Sequence, residues 1–346
     1  MNNNSTGQDD VQSDNLNESY ATDDGPPTAQ IYGRFGFIFV VGVVGNMLVI
    51  LAVSRRLQGM HKTMIVFITN LSISDMLFLI FFMPFSATIL TMPSWLFGNF
   101  MCKFVNFFMY TSMFSSIYTL VAMSLDRYIA IVYPLGFFDV RTLRNSVALA
   151  IIIWIVSCIF SSPYLYVFGT EIENYTVNYT TYTETEHYTV NYYTETYCVE
   201  NWQHKRQRPR YHVFLFISGY AVPLIAISGA YLRILCVLWR KMELTEGAGQ
   251  SSAARAAKSK MKTLRLVIVV VLAFGICWLP HHIINLWMGF GKFEFTMGTM
   301  IFKIFALCLA SFNSCLNPIL YTISSENFRN SLVKSYSIYI LEKTKK

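Results

Sequence analysis

Asp75 ends the string Asn70-Leu71-Ser72-Ile73-Ser74-Asp75, deep inside an apolar run. If that run lies in hydrocarbon, a charge at its centre costs at least about 2.5–3.5 kcal/mol and needs a partner or water. Polar residues stand at matching depth in other apolar runs: Asn46, Ser116, Asn313, Ser314 and Asn317. Asn313 and Asn317 are four apart and share one helix face. Asp75 with Ser116, Asn313, Ser314 and Asn317 could offer oxygen ligands to a hydrated sodium ion; a purely structural polar network is the alternative. A second charged constellation, Asp126-Arg127-Tyr128, closes another apolar run and precedes Ile131-Val132-Tyr133-Pro134-Leu135. Catalytic signatures are missing: no His-Glu-x-x-His, no Gly-x-Ser-x-Gly and no Cys-x-x-Cys string occurs, so an enzyme and a zinc or thioredoxin-like site are not expected.

The elements that must position these groups follow from composition. The chain has 346 residues, 54% hydrophobic and only 14% charged, where a soluble chain carries roughly a quarter charged residues. The apolar residues are blocked into runs at about 31–54, 63–90, 100–132, 146–168, 211–239, 264–290 and 297–322. About 20 apolar residues rising 1.5 Å each cross about 30 Å of hydrocarbon, so the expected fold is an all-α membrane protein, a seven-transmembrane helix bundle. Pro84, Pro163, Pro223, Pro280 and Pro318 interrupt these runs and supply kinks that act as hinges where neighbours satisfy the freed carbonyls. Residues 1–30 form a polar tail, 31–322 the bundle, and 323–346 a cytoplasmic tail. In that tail Ser325-Glu326-Asn327-Phe328-Arg329-Asn330-Ser331-Leu332 suits a short amphipathic helix on the membrane lipid.

Charge orients the bundle. The first, third and fifth connections carry Arg55, Arg56 and Lys62, then Arg141 and Arg144, then Arg240, Lys241, Arg255, Lys258, Lys260 and Lys262. Basic loops stay in the cytoplasm, so the acidic N-terminal tail lies outside and the basic C-terminus inside. Net charge is +7, but its place in these loops speaks against nucleic acid. The tail lacks the order of a secretory signal, which leaves targeting to the first span. Sequons at Asn3, Asn4 and Asn17, and at Asn174 and Asn178 in the loop at about 170–210, are then glycosylation candidates. That loop repeats Tyr175-Thr-Val-Asn-Tyr as Tyr188-Thr-Val-Asn-Tyr, and its Tyr/Thr alternation favours a strand hairpin. It is either a ligand-covering lid or an expanded glycosylated loop with no binding role. Of seven cysteines only Cys102 and Cys198 sit near loop ends.

Asp126-Arg127-Tyr128 at the end of the third run, with Gly45-Asn46-Met47-Leu48-Val49, Asp75, Trp154, Cys277-Trp278-Leu279-Pro280 and Asn317-Pro318-Ile319-Leu320-Tyr321, resembles the rhodopsin-like G-protein-coupled receptors in order and spacing over about 31–332. The resemblance implies a plasma-membrane receptor that couples an extracellular ligand to a heterotrimeric G protein, with arrestin as a further partner. It implies that Trp278 above Pro280 senses ligand and that Arg127, Tyr231 and Tyr321 rearrange to open a cytoplasmic cleft. Asp126, Tyr128, Asn317 and Pro318 belong to the same switch, and Pro134 and Leu135 would face the G protein. It also implies a Cys102–Cys198 bridge. No acid stands near the start of the sixth span, so the inactive-state salt bridge from Arg127 is expected to rest on Asp126.

Met109, eighteen residues before Arg127, stands where amine receptors of this family carry an aspartate, and Ser311 where opsins hold the retinal lysine. Amines and retinal are therefore not expected. From Cys277 to Phe328 the chain resembles vertebrate galanin receptors most: Trp278-Leu279-Pro280-His281-His282-Ile283-Ile284, Leu286-Trp287, Phe290-Gly291 and Ser325-Glu326-Asn327-Phe328-Arg329. Asn285 and Gly289 depart from it, standing where galanin receptors carry a histidine and a glutamate. The expected ligand is a neuropeptide, galanin-like or allatostatin-A-like, or failing those another peptide, and inhibitory coupling is favoured. His281, His282, Asn285, Lys303, Met109 and Phe290 are the expected contacts, facing an amidated or aromatic-ended peptide. The bland alternatives are interfacial packing for the histidines and snorkelling for Lys303. A transporter, the rival class, predicts an internal repeat of spans, and none is found.

Overall fold

The computed structural model describes residues 28–54, 61–92, 94–134, 141–179, 189–247, 251–291, 294 and 296–324. The expected helix at 325–332, Leu135 and the sequons at Asn3, Asn4 and Asn17 lie outside them. Among the described residues seven helical segments are long and apolar enough to span a membrane. They are built from α1 (Thr28–Ser54), α2 (Lys62–Thr91), α3 (Gly98–Val132), α4 (Leu143–Ser161) continued by α5 (Pro163–Val167), α6 (Gln207–Phe216) continued through a π-helical turn (Ile217–Ala221) into α7 (Val222–Gly247), α8 (Ser251–Phe290) and α9 (Met297–Ser324). Strands β1 (Phe168–Tyr179) and β2 (Thr189–Glu200) form an antiparallel hairpin.

Local chemistry sets the boundaries. Thr142 caps α4, its hydroxyl accepting from Asn145 N at 3.2 Å. Pro163 cannot donate to α4 and instead occupies the first turn of α5, where its missing N–H costs nothing. Pro223 follows the π-helical turn at once, a place where one extra residue relieves the clash of a proline ring with the preceding turn.

A proline also explains the Gly45-Asn46 string in the first span. Pro318 lacks an N–H, so the Ser314 carbonyl four residues earlier loses its helical partner. Asn46 Nδ2 donates to that carbonyl at 2.8 Å, and to Gly42 O at 3.0 Å. Gly45 makes the approach feasible, because a Cβ there would sit 3.1 Å from the Pro318 ring. Gly45-Asn46 and Asn317-Pro318 are thus two halves of one helix contact. The hairpin expectation holds as well: the described parts of the two Tyr-Thr-Val-Asn blocks face each other one residue out of phase, Val177 opposite Asn191 and Asn178 opposite Val190.

Asn46→Leu leaves the buried Ser314 carbonyl without a donor and is expected to destabilise the bundle by about 1–3 kcal/mol. Met47→Leu, on the lipid-facing side and 55% exposed, is the matched control. Thermal melting of the two purified variants checks it.

Candidate functional site

The hairpin is pinned at one end of the bundle. Cys102, in the second turn of α3, is bonded to Cys198 of β2. Backbone bonds add to this: Trp95 N donates to Thr196 O at 2.6 Å, Thr196 N to Ser94 Oγ at 2.9 Å and Thr170 N to Asn99 Oδ1 at 3.2 Å. Beneath the anchored part lies a cavity of about 500 Å³.

Of the expected contacts, His281, Asn285, Lys303 and Met109 line this cavity, while His282 and Phe290 do not. Consecutive helical residues diverge by about 100°, so His281 and His282 cannot share one surface. His282 turns toward the fifth span, its ring 5.2 Å from Tyr220 and 5.9 Å from Phe216. Phe290 points away from the bundle and is 69% exposed. His281 is held by Tyr110, whose hydroxyl lies 3.2 Å from His281 Nε2 and accepts from Asn285 Nδ2 at 2.8 Å. Tyr110 stacks on Tyr164 at 4.4 Å. Below, His281 meets Trp278 edge-on at 5.7 Å, and Trp278 meets Phe78 at 5.6 Å. A chain of contacts therefore runs from the cavity lining to Trp278, two residues before Pro280.

A second polar group, which no sequence motif marks, stands at the cavity. Glu200, two residues after the bridged Cys198, accepts from Arg208 Nε at 3.0 Å and Trp202 Nε1 at 2.9 Å. His212 Nδ1 lies 2.7 Å from the Asn285 carbonyl; a carbonyl only accepts, so this nitrogen carries the proton. His212 Nε2 sits 3.6 Å from Glu200 Oε1, a true ion pair only when the ring is doubly protonated. Burial, the largest single influence, opposes ionisation of Glu200, but His212, Trp202 and Arg208 together outweigh it and hold the carboxyl below its ordinary 4.5. A carboxylate placed next to a bridging cysteine was the available signal. Gly289 is explained here too, since a Cβ on it would lie 3.2 Å from Pro209 and 3.3 Å from His212.

At mid-depth Asp75 is buried and fully engaged: Asn317 Nδ2 donates at 2.7 Å, Ser314 Oγ at 3.2 Å and Ser116 Oγ at 3.5 Å. Asn313 is buried without a bond to the carboxylate, and Asn46 serves the backbone of α9 instead. The carboxylate and two hydroxyls whose lone pairs can turn inward are an oxygen set of the kind a hard cation takes. A neighbouring hub joins three helices: Trp154 Nε1 donates to Asn70 Oδ1 at 2.8 Å, and Asn70 Nδ2 to Thr119 Oγ1 at 2.7 Å.

The far end corrects one expectation. Asp126 does not serve as the partner of Arg127; it binds Arg141 through two bonds, of 2.9 and 3.2 Å, and accepts from Thr63 Oγ1 at 3.1 Å. Adjacent residues on a helix point in different directions, and Arg141, two residues before the start of α4, reaches the carboxylate instead. Arg127 Nε is buried without a hydrogen-bond partner among the described residues. Tyr231, buried, accepts from Ser124 at 3.3 Å, and Tyr128 packs on Tyr133 at 5.9 Å. Pro134 stands exposed in a turn after α3.

Seven spans, a bridged hairpin over a cavity and these polar hubs define a membrane receptor. Residues 45–321 match the family described as 7 transmembrane receptor (rhodopsin family), and the chain belongs to that family. It is 39% identical to galanin receptor type 1 of Homo sapiens over 310 residues, covering 88% of this chain and 81% of that one. It is 36% identical to galanin receptor 2b of Danio rerio over 330 residues, 95% and 80% of the two chains. It is 36% identical to galanin receptor type 2 of Homo sapiens over 297 residues, 85% and 70%. The protein is a multi-pass G-protein-coupled receptor of the plasma membrane, and not an enzyme.

Because the Glu200 carboxyl is depressed, its stabilisation is complete above the ordinary carboxylate range and is lost as pH falls through its folded value. Melting of wild type is expected to drop more steeply than that of Glu200→Gln as pH falls below about 5.

Proposed function

We propose that the chain is a cell-surface receptor for a galanin-like peptide, with the hairpin end outside and coupling to an inhibitory G protein and then arrestin at the Arg127 end. The observation that carries the reading is the joint one: similarity to galanin receptors over most of the chain, and a cavity whose floor residue His281 touches Trp278 beside the Pro280 hinge. A peptide end that contacts His281 and Asn285 better in the active conformation shifts the population toward it. Residues 1–30 serve as the glycosylated outer tail and 323–346 as the inner one, with Asn174 and Asn178 on the hairpin as further glycan sites. Pro134 and Leu135 contact the G protein, and Arg127, Tyr231, Asn317 and Tyr321 carry the rearrangement that opens the cleft. In this chain Asp126 pairs with Arg141, so the restraint on Arg127 is not an Arg127–Asp126 pair.

Galanin and a panel of neuropeptides that includes the allatostatin-A type, applied to cells expressing the chain and read by G-protein activation, test this; silence to the whole panel at normal surface expression removes it. With an active peptide in hand, His281→Ala is expected to weaken potency by about 1–3 kcal/mol, the range of a lost buried hydrogen bond. His282→Ala is expected to act on the packing of α8 against the fifth span, lowering melting temperature more than potency.

Sodium held by Asp75, Ser116 and Ser314 would favour the resting conformation. Asp75→Asn keeps the shape and removes the charge, so agonist affinity should become insensitive to replacing sodium by a bulky organic cation. A sodium effect that persists in the variant disproves the assignment.

A further inference from the structure

The charges lining the cavity do not balance. Glu200, Arg208 and Lys303 all face it. Glu200 is already taken by Arg208 and Trp202, with His212 alongside. Lys303 has no hydrogen-bond or ion-pair partner among the described residues, and it lies six residues past the start of α9 at Met297, about 9 Å along the helix. One negative and two positive groups leave the lining with one uncompensated cation. The other polar groups do not supply the missing anion. Tyr110 and Asn285 bond each other, and Asn106 Nδ2 donates to the Cys102 carbonyl at 2.8 Å. Around them the wall is apolar, with Phe82, Ile89, Leu90, Met288 and Leu307.

Half-buried in a cavity wall that is largely apolar, the Lys303 ammonium is stabilised by any anion that joins it there. A ligand amine is opposed by the same two cations and finds no unpaired carboxylate. We infer that the buried end of the ligand is an apolar or aromatic residue carrying a carboxylate, which Lys303 receives; the group is either a free peptide C-terminus or an acidic side chain next to an apolar residue. This rests on the peptide-receptor reading and assigns the chemistry of the ligand end within it. Lys303 is thereby a specificity-determining residue: a charge-assisted bond to a carboxylate is stronger than the bond it makes to a neutral amide carbonyl.

The test needs no prior ligand. The detergent-purified full chain is melted with three probes: N-acetyl-phenylalanine, which ends in a carboxylate; its amide, which does not; and N-acetyl-aspartyl-phenylalanine amide, whose carboxylate is on a side chain. A compound that binds the folded chain raises its Tm in proportion to the logarithm of its occupancy. At least one carboxylate probe is expected to act at about tenfold lower concentration than the neutral amide, the effect of one charge-assisted bond. Whichever carboxylate probe acts lower identifies the source. The preference should vanish in Lys303→Gln and survive in Lys303→Arg, each verified to melt like wild type without probe. Equal action of acid and amide on wild type, no action by any probe, or a preference retained in Lys303→Gln overturns the inference; the wild-type comparison decides the first two without any variant. Failure here leaves peptide activation in cells untouched. A carboxylate preference together with silence to every peptide would instead remove the peptide reading alone.

Discussion

A bilayer offers no water to a stranded carbonyl or carboxylate, and this chain answers that constraint with side chains that reach between helices. The contact of Asn46 with the Ser314 carbonyl is the clearest case. Pro318 withholds a donor from the Ser314 carbonyl and α1 supplies one, so the proline inside α9 is accommodated by its neighbour. One residue before that proline, Asn317 donates to Asp75, and the Ser314 side chain does the same from the next turn. Three helices therefore meet at α9 through groups that would each be costly alone, and every one of them must move if α9 moves.

That arrangement favours a switch over a rigid scaffold. Hydrogen-bonded hubs in a low-dielectric interior have few alternative partners, so the bundle holds discrete arrangements rather than a continuum. The contacts from His281 through Trp278 to Phe78 approach the Asp75 region from the cavity side. At the opposite end the bidentate Asp126–Arg141 pair ties α3 to the beginning of the next helical region, with Thr63 of α2 as third partner. Arg141 makes this the restraint on α3, whereas in the sequence it read only as one of two basic loop residues.

The hairpin places a different demand. A two-stranded ribbon is marginal by itself in water, and here the disulfide and the bonds to Ser94, Trp95 and Asn99 hold its base. Its described blocks run antiparallel, so Val177 meets Asn191 and Asn178 meets Val190 rather than like residues meeting like. The fixed base is what brings Glu200 to the cavity, because the residue lies only two positions beyond Cys198.

Much of the fold was legible without coordinates, because hydrocarbon thickness imposes a length on each apolar run and the cost of buried charge singles out Asp75. The number of spans, the strand character of the Tyr/Thr loop and the family motifs follow from periodicity, composition and order along the chain. Side-chain direction does not. Whether His281 or His282 faces the cavity depends on a rotation of about 100° about the helix axis, and adjacency in sequence hides it. Partners far apart in the chain were equally hidden: Arg141 for Asp126, Tyr110 for His281, and Arg208 and His212 around Glu200. Each is an encounter between separate elements, set by how the helices pack and where the disulfide pulls the hairpin. The sequence by itself determined which groups could not be left alone in a membrane, and only the tertiary structure decided which neighbour each would find.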